Sequence, residues 1–177
     1  MGALKLKKYT YSDYVTWEGE WEIIDGVPYA MAPAPIPKHQ VVVGRVFREF
    51  EKSLECENCE VFIAPIDWKI DDFNIVQPDV SIFCEDWEDK KYLTSTPPVI
   101  VEVLSLSTAI KDINLKYKLY ERVGVKWYVL INPENKEVKI FKNENGYKEV
   151  KFDKSFEFEW DGCKTKIDFE RVFNGFK

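Results

Sequence analysis

The sequence predicts a mixed α/β fold, on the border with α+β, in which a mixed central sheet is flanked by helices and carries antiparallel additions. A nearly unbroken apolar run, Val99-Ile100-Val101, is typical of a strand buried on both faces. The elements around it follow in the order strand, strand, helix, strand. The segment Glu137–Lys142 alternates as an antiparallel partner would. We expect one domain over residues 1–177, since domains cluster at about 100–150 residues.

The first third of the chain predicts a small hairpin and a long helix. A short helix is expected over Tyr9 to Trp17, and two strands over Trp21 to Tyr29, joined at Asp25-Gly26, a dipeptide that tolerates the positive φ of a tight turn. The stretch Met31 to Lys38 holds three prolines and predicts a loop. The next segment has apolar residues at helical spacing and is expected to form an amphipathic helix. Those residues are Val43, Val46, Phe47, Phe50 and Leu54.

The remaining elements follow from the same patterns. Strands are predicted at Val61–Ala64, Ile66–Ile70, Val80–Phe83, Val99–Leu104 and Val125–Ile131. A helix is expected from Ser107 to about Arg122, because an apolar stripe recurs there at helical spacing and Gly124 can end it. Asn145-Gly146 is expected to open a further strand.

Composition limits the class of protein. Hydrophobic residues make up 45% of the chain, which argues against disorder, and no apolar run approaches the ~20 residues of a membrane span. Met1–Lys8 has no apolar signal-peptide core, so a cytoplasmic protein with no membrane contact is expected. The net charge of −6 has the wrong sign for broad phosphate neutralisation, so any nucleic-acid surface must be local.

The four cysteines are expected to be reduced. Cys84 and Cys163 fall in strand-like segments, which favours buried thiols over a disulfide framework. Cys56-Glu57-Asn58-Cys59 has the spacing of a zinc motif, but a structural zinc site needs four ligands and the sequence offers no second pair and one histidine. On sequence grounds zinc is therefore excluded for a single chain.

Two carboxylates and a lysine form the strongest chemical signal. Asp79 stands at the mouth of a predicted strand, and Glu102 ends the buried strand. Burying a lone charge is costly, and a divalent cation is one compensation. Two carboxylates, a backbone carbonyl and waters suit Mg²⁺. Asp112 and Lys116 are i and i+4 on the next predicted helix, so the lysine could reach back over that site.

These residues resemble the PD-(D/E)xK nuclease superfamily. Pro78-Asp79 followed by Glu102-Val103-Leu104 is similar to its signature, with Leu104 in place of the usual lysine. The longer string from Pro97 to Thr108 is similar to the Uma-type family of "putative restriction endonucleases", whose pattern reads EVLSPST. The remaining matches are Asp112, Lys116, Tyr120, Gly124-Val125, Trp127-Tyr128-Val129, Glu22 to Gly26 and His39. Leu106 departs from the pattern where proline is usual, and Trp127-Tyr128 reverses its Tyr-Trp pair.

The resemblance implies a restriction-endonuclease-like fold and a Mg²⁺- (or Mn²⁺-) dependent endonuclease acting on DNA, with a homodimer as the expected assembly. It implies that Asp79 and Glu102 are metal ligands, that the Val103 carbonyl is a third, and that Lys116 is the catalytic lysine. Possible additional site residues are Glu22, as a further acidic ligand, His39 and Asp112.

Each residue also has an ordinary structural interpretation. Asp79 can cap a turn, and Glu102 can be an edge-strand glutamate paired with Lys116. Lys116 and Asp112 can form a solvated salt bridge, and His39, the single histidine, can be a surface residue at a helix start. Glu22 can pair across its hairpin. The alternative function is a binding or structural module that keeps the nuclease fold without turnover.

Overall fold

The computed structural model describes residues 7–31, 35–105 and 112–177, apart from the side chains of residues 112 and 113. The helices are α1 (Tyr11–Tyr14), α2 (Pro37–Ser53), a π-helix (Asp112–Lys116), α3 (Tyr117–Val123) and α4 (Phe169–Val172). The strands are β1 (Trp21–Ile24), β2 (Val27–Ala30), β3 (Glu60–Ile63), β4 (Trp68–Asp71), β5 (Asn74–Val76), β6 (Val80–Phe83), β7 (Val99–Val103), β8 (Trp127–Asn132), β9 (Glu137–Asn143), β10 (Tyr147–Val150), β11 (Ser155–Trp160) and β12 (Cys163–Asp168).

A six-stranded mixed sheet forms the centre of the fold. Its strand order is β10-β9-β8-β7-β6-β3, with β7 and β8 parallel and the other neighbours antiparallel. All five residues of β7 are buried, as its apolar run predicts. The predicted class, a mixed sheet with helices and antiparallel additions, is confirmed.

A second, four-stranded sheet has the order β2-β1-β5-β4 and is antiparallel throughout. The predicted hairpin is present, with Asp25 and Gly26 at φ of 52° and 80° in its turn. β1 buries Glu22, Ile23 and Ile24, so this sheet carries a charged side chain into the interior.

The main sheet is covered by two apolar cores, one on each face. Val99, Val101 and Val103 pack with α2 and with the β11–β12 hairpin. Ile100 packs on the opposite face, in the core that contains Leu119 of α3. Because side chains alternate along a strand, Glu102 lies on the same face as Ile100.

Several boundaries differ from the predicted ones. α1 covers four residues rather than the span Tyr9 to Trp17, and α2 begins at Pro37, which suits a first helical turn because proline lacks the N–H that this turn leaves unused. The helix expected from Ser107 to Arg122 is described from Asp112, and its first part lies outside the described residues. Gly124 ends it at φ 88°, as predicted. β5 and β11 were not predicted, and β12 was anticipated only as a strand-like segment around Cys163.

The expectation of four reduced cysteines is wrong. Cys56 is bonded to Cys163, and Cys59 to Cys84, and no cysteine is left as a free thiol. The pairs lie far apart in the sequence and meet only because strands from different parts of the chain run side by side there.

Within the described ranges, no helix combines the length and apolar character needed to cross a membrane. The longest, α2, has 17 residues, and its outer face is charged.

Candidate active site

The strands β6 and β7 place Asp79 and Glu102 on one face of the main sheet. These strands are antiparallel, with Val80 opposite Val101 and Ser81 opposite Ile100. Continuing that register by one residue sets Asp79 opposite Glu102. Directly opposed residues have Cβ atoms about 4.5–5.5 Å apart, so the two carboxylates begin from neighbouring positions on one face.

Glu102 is 2% exposed and bound by two donors from the following helical segment. Its Oε1 lies 2.9 Å from Lys116 Nζ and accepts a hydrogen bond of 2.8 Å from the Tyr120 hydroxyl. β7 has hydrogen-bonded neighbours on both sides, so Glu102 is not an edge-strand residue, although its pairing with Lys116 was expected. A buried carboxylate on a central strand is tolerated because charged and polar donors surround it.

Glu22 joins the same cluster from the other sheet. It is fully buried, and its Oε1 lies 2.8 Å from Lys116 Nζ and accepts a 2.9 Å hydrogen bond from the Gln77 backbone N–H. Its partner across the hairpin is Tyr29, so simple pairing across that hairpin does not account for this side chain. Glu22 therefore belongs with Lys116.

Lys116 connects the two sheets. It is the last residue of the π-helix, is 2% exposed, and holds both Glu22 and Glu102. The ordinary interpretation of Lys116, as half of a solvated salt bridge with Asp112, is wrong because the Lys116 ammonium is buried. The side chain of Asp112 lies outside the described residues. π-Helical turns are rare and are often found at functional sites.

Asp79 lies at the rim of this cluster. Its Oδ2 accepts a 2.8 Å hydrogen bond from the Val103 N–H and lies 3.4 Å from His39 Nε2, and its side chain is 19% exposed. Oδ1 receives no hydrogen bond from the described residues. Asp79 therefore caps a backbone group, as the ordinary interpretation has it, while one oxygen faces the rim.

His39 is not the surface residue that its position at a helix start suggested. It is 8% exposed in the first turn of α2, and its ring approaches Asp79. The helix begins earlier than its apolar pattern predicts, and this earlier start places His39 against the sheet.

Tyr120 is a member of the site to which sequence reasoning assigned no role. Burial, and secondarily the negative charge of Glu102, raise its pKa well above the usual value, so it remains a neutral donor at physiological pH. The signal was its spacing: Tyr120 is i+4 from Lys116, which places both side chains on one helix face. Gln77, whose backbone holds Glu22, carried no comparable signal.

The acidic side chains do not all converge on one point. Glu22, Asp79 and Glu102 do not bring their oxygens mutually within 4.8 Å; among the described residues, the one such group of potential ligands consists of cysteines. In this structure Glu22 and Glu102 are gathered on the Lys116 ammonium, and Asp79 stands beside them.

A mixed sheet carrying opposed acids on adjacent strands, with a lysine from the next helix between the sheets, defines a protein of the nuclease-fold class. The whole fold resembles a crystal structure described as a "putative nuclease belonging to DUF820" from Anabaena variabilis ATCC 29413. The TM-score is 0.72 at 14% sequence identity, over 93% of this chain and 97% of that one.

The chain belongs to the Uma2 family, described as "Putative restriction endonuclease", whose sequence model matches residues 11–161. It is also 30% identical over 148 residues to the "Uncharacterized protein slr1290" of Synechocystis sp. (strain ATCC 27184 / PCC 6803 / Kazusa), covering 78% of this chain and 77% of that protein. The predicted family resemblance is confirmed. The matched residues include Asp79, Glu102 and Lys116.

Proposed function

We propose that this protein is a Mg²⁺- or Mn²⁺-dependent endonuclease that hydrolyses phosphodiester bonds in DNA. The observation that carries the proposal is the opposition of Asp79 and Glu102 on adjacent central strands, with Lys116 Nζ 2.9 Å from Glu102. Membership of a family described as restriction endonucleases supports it.

The donor atoms are of the type that a hard divalent cation takes, and Glu102 would have to turn part of its carboxylate away from Lys116 to bind one. Carboxylate and carbonyl oxygens are the ligands that Mg²⁺ takes, usually one or two carboxylates with waters completing the shell. Asp79 offers Oδ1 at the partly exposed rim, and its Oδ2 is fixed to the Val103 N–H. Asp79, Glu102 and the Val103 carbonyl would hold the ion. When bound, it would supply Lewis-acid polarisation of the scissile phosphate and activation of the attacking water.

The other residues have roles that follow from their contacts. The Lys116 ammonium is placed to offset negative charge that develops on the phosphate or to orient the attacking water. Glu22 fixes that ammonium from the second sheet, and Tyr120 fixes the Glu102 carboxylate. His39 positions Asp79 from α2. A site held by packed side chains on several elements is preorganised for a charged substrate.

A neighbouring cleft carries two lysines and one glutamate, a small excess of positive charge in a protein whose net charge is −6. A cavity of about 490 Å³ contains Leu104, just beyond the end of β7, and Leu130, which pairs with Glu102 across the sheet. Lys118, Lys139 and Glu137 also line it, and the Glu137 carboxylate lies 3.4 Å from Lys139 Nζ. Lysines beside the acidic cluster can contact the phosphates that flank a scissile bond. This local charge supports a DNA substrate for an acidic protein.

Two further parts of the proposal rest on analogy and expectation. A homodimer would present two such sites to the two strands of a duplex, as closed two-fold assemblies can. The cytoplasm is the proposed compartment.

Nicking of supercoiled plasmid tests the proposal. The wild-type protein should nick in Mg²⁺ or Mn²⁺ and not in chelator. Glu102→Gln and Asp79→Asn should each lower the rate by about 10²-fold or more, the usual cost of losing one transition-state-stabilising group. Lys116→Arg keeps the charge and should retain the fold while losing rate, because the bulkier guanidinium cannot reproduce the ammonium geometry.

The matched control is Glu49→Gln, the same change at another buried glutamate. Glu49 lies on α2, on the opposite face of the sheet, and accepts a hydrogen bond from the Asp168 N–H. The Glu49→Gln variant should nick plasmid at the wild-type rate. Equal nicking by wild type, Glu102→Gln and Asp79→Asn would refute the assignment. A folded wild type that cuts no plasmid or single-stranded DNA with either metal would favour a nuclease-fold binding module, in which Lys116 serves only to hold two acids together.

A further inference from the structure

Four cysteines meet at one edge of the molecule, away from the acidic cluster. Cys59 precedes β3 and Cys84 follows β6. The strands are antiparallel with Glu60 opposite Phe83, so continuing the register by one residue sets Cys59 opposite Cys84, with Cα atoms 4.0 Å apart. The backbone pairing alone therefore brings these two side chains together.

A second backbone pairing brings up the other two cysteines. Glu55 and Lys164 form an isolated antiparallel bridge. The next residues inward, Cys56 and Cys163, are opposed in turn, with Cα atoms 5.2 Å apart. Cys163 thus enters from the start of β12, a part of the chain remote in sequence from the Cys56–Cys59 turn.

The Cys56–Cys59 turn joins the two pairs into one cluster. The Sγ atoms of Cys56 and Cys59 are 3.2 Å apart, and those of Cys56, Cys59 and Cys163 all lie within 4.8 Å of one another. Cys84 is bonded to Cys59 but does not belong to this group of three, so its Sγ lies more than 4.8 Å from the sulfur of Cys56 or of Cys163. In a tetrahedral zinc site with Zn–S of about 2.3 Å, the sulfur atoms are about 3.8 Å apart. Three sulfurs therefore already lie close enough together to share one ion, and Cys84, bonded to one of them, would supply the fourth ligand once reduction releases its side chain.

We propose that the reduced protein binds one Zn²⁺ through Cys56, Cys59, Cys84 and Cys163. Zinc was not expected from the sequence because no second pair of ligands lies close together along the chain. The fold supplies that pair from β6 and β12, which the sequence could not reveal. The oxidised protein, with its two disulfides, and the reduced, zinc-bound protein are two states of the same cluster.

The interconversion is balanced with a thiol or phosphine reductant. Two disulfides take up four electrons and four protons to give four thiols. The four thiols then bind one Zn²⁺ and release four protons, because the thiolate is the ligand. Cys84 is exposed and the other three are half-buried, so reductant and ion can reach the sulfurs.

The centre ties the C-terminal hairpin to the main sheet. Both the disulfides and the proposed zinc site link the segment before β3 to β6 and to β12. This link holds in an oxidising or a reducing compartment, and in the reduced state it depends on the metal. Zinc binding then contributes directly to the stability of the fold.

Metal titration of the whole reduced chain tests the proposal. Protein reduced with a phosphine and freed of metal should develop thiolate-to-cobalt charge-transfer absorption that saturates at one Co²⁺ per chain and is bleached by Zn²⁺. Zinc should protect all four cysteines from alkylation, as counted by mass spectrometry, and should raise the melting temperature. Oxidised wild type should bind no ion at these sulfurs.

Variants separate this centre from the acidic site. Cys84→Ser and Cys163→Ser should each weaken zinc binding by more than about tenfold. Loss of a residue that merely supports a metal ligand already costs about tenfold or more, and these variants remove a ligand itself. Glu102→Gln should bind one Zn²⁺ as wild type does. Reduced wild type that takes up no cobalt, or zinc protection of fewer than four cysteines, would overturn the proposal, and so would undiminished binding in both serine variants. The count of alkylated cysteines is made on the wild-type protein. It therefore still decides the question if a serine variant fails to fold.

Discussion

Replacing Lys116 by methionine removes the positive charge between two buried carboxylates and keeps a side chain of similar length. The ammonium lies 2.8 Å from Glu22 Oε1 and 2.9 Å from Glu102 Oε1, and all three side chains are at most 3% exposed. In Lys116→Met both acids lose that partner without gaining access to water. The fold should therefore be strongly destabilised at neutral pH.

The expected magnitude follows from the burial of all three groups. Removing one partner of a buried ion pair costs about 3–5 kcal/mol, because the remaining charge stays desolvated. Lys116 serves two acids, so the upper part of that range is expected, against a total stability of about 5–15 kcal/mol for a typical domain. The penalty should shrink at acid pH, where protonation removes the charge that lacks a partner. A second change, Glu22→Gln in the Lys116→Met background, should recover part of the loss at neutral pH.

Urea unfolding followed by circular dichroism measures these differences. The matched control is Lys118→Met, two residues further along and exposed, which should stay within about 0.5 kcal/mol of wild type. A loss below about 1 kcal/mol in Lys116→Met would refute the reasoning. So would a double variant no more stable than Lys116→Met, because the carboxylates would then not depend on the ammonium.

The remaining predictions concern stability away from the site. Gly44→Ala should stabilise the protein by up to about 1 kcal/mol, because Gly44 lies within a helix and an added Cβ would meet nothing within 4 Å. Gly26→Ala should destabilise the protein, because its φ is +80° and the added Cβ would lie 2.8 Å from Lys8 Cβ. Thermal unfolding of the two variants measures both effects. Tyr147→Phe should be neutral or stabilising in urea unfolding, because its buried hydroxyl has no partner among the described residues. Burial is the main cause that raises the pKa of the Tyr147 phenol in the folded protein. The folded state therefore resists ionisation of this phenol, and it loses stability relative to the unfolded chain once the pH rises above the unfolded pKa of about 10. Above that pH the free energy of unfolding of the wild type should fall by about 1.4 kcal/mol per pH unit relative to Tyr147→Phe, and parallel pH curves for the two proteins would contradict this.

The sequence predicted the centre of the fold well because local pattern and burial agree there. The apolar run of β7 has a single structural solution in an α/β protein, and Glu102 at its end is conspicuous for its charge. Asp79 was assigned to the same site through the resemblance of Pro78-Asp79 and Glu102-Val103-Leu104 to the nuclease signature, because the residues between the two strands give no local signal that they pair. The sequence pattern does not fix the register of the two strands, because only the observed pairing shows which residues are opposed. The structure supplies that register, which sets Asp79 opposite Glu102.

The parts that failed are those decided by contacts between distant segments. Nothing in the local sequence distinguishes a buried Lys116 from a solvated one, because its burial comes from β1 and β7 closing over it. His39 is polar in a first helical turn and became buried because α2 begins at Pro37. The cysteines met through the β3–β6 pairing and the Glu55–Lys164 bridge, which no spacing along the chain encodes.

The position of Glu22 would resolve a conflict between stability and the proposed catalysis at this site. A carboxylate that pairs with a buried lysine is poorly available to a cation, and a lysine whose partner turns to a cation would be left as a buried unpaired charge. Within the part of the chain that the structure describes, Lys116 contacts a carboxylate from each sheet, at nearly equal distances. Glu102 can therefore give up its share of the ammonium while Glu22, held by the Gln77 backbone, keeps Lys116 in place. In the proposed endonuclease, Glu22 would therefore position the lysine rather than serve as a third metal ligand, and the small sheet would help to hold the site together.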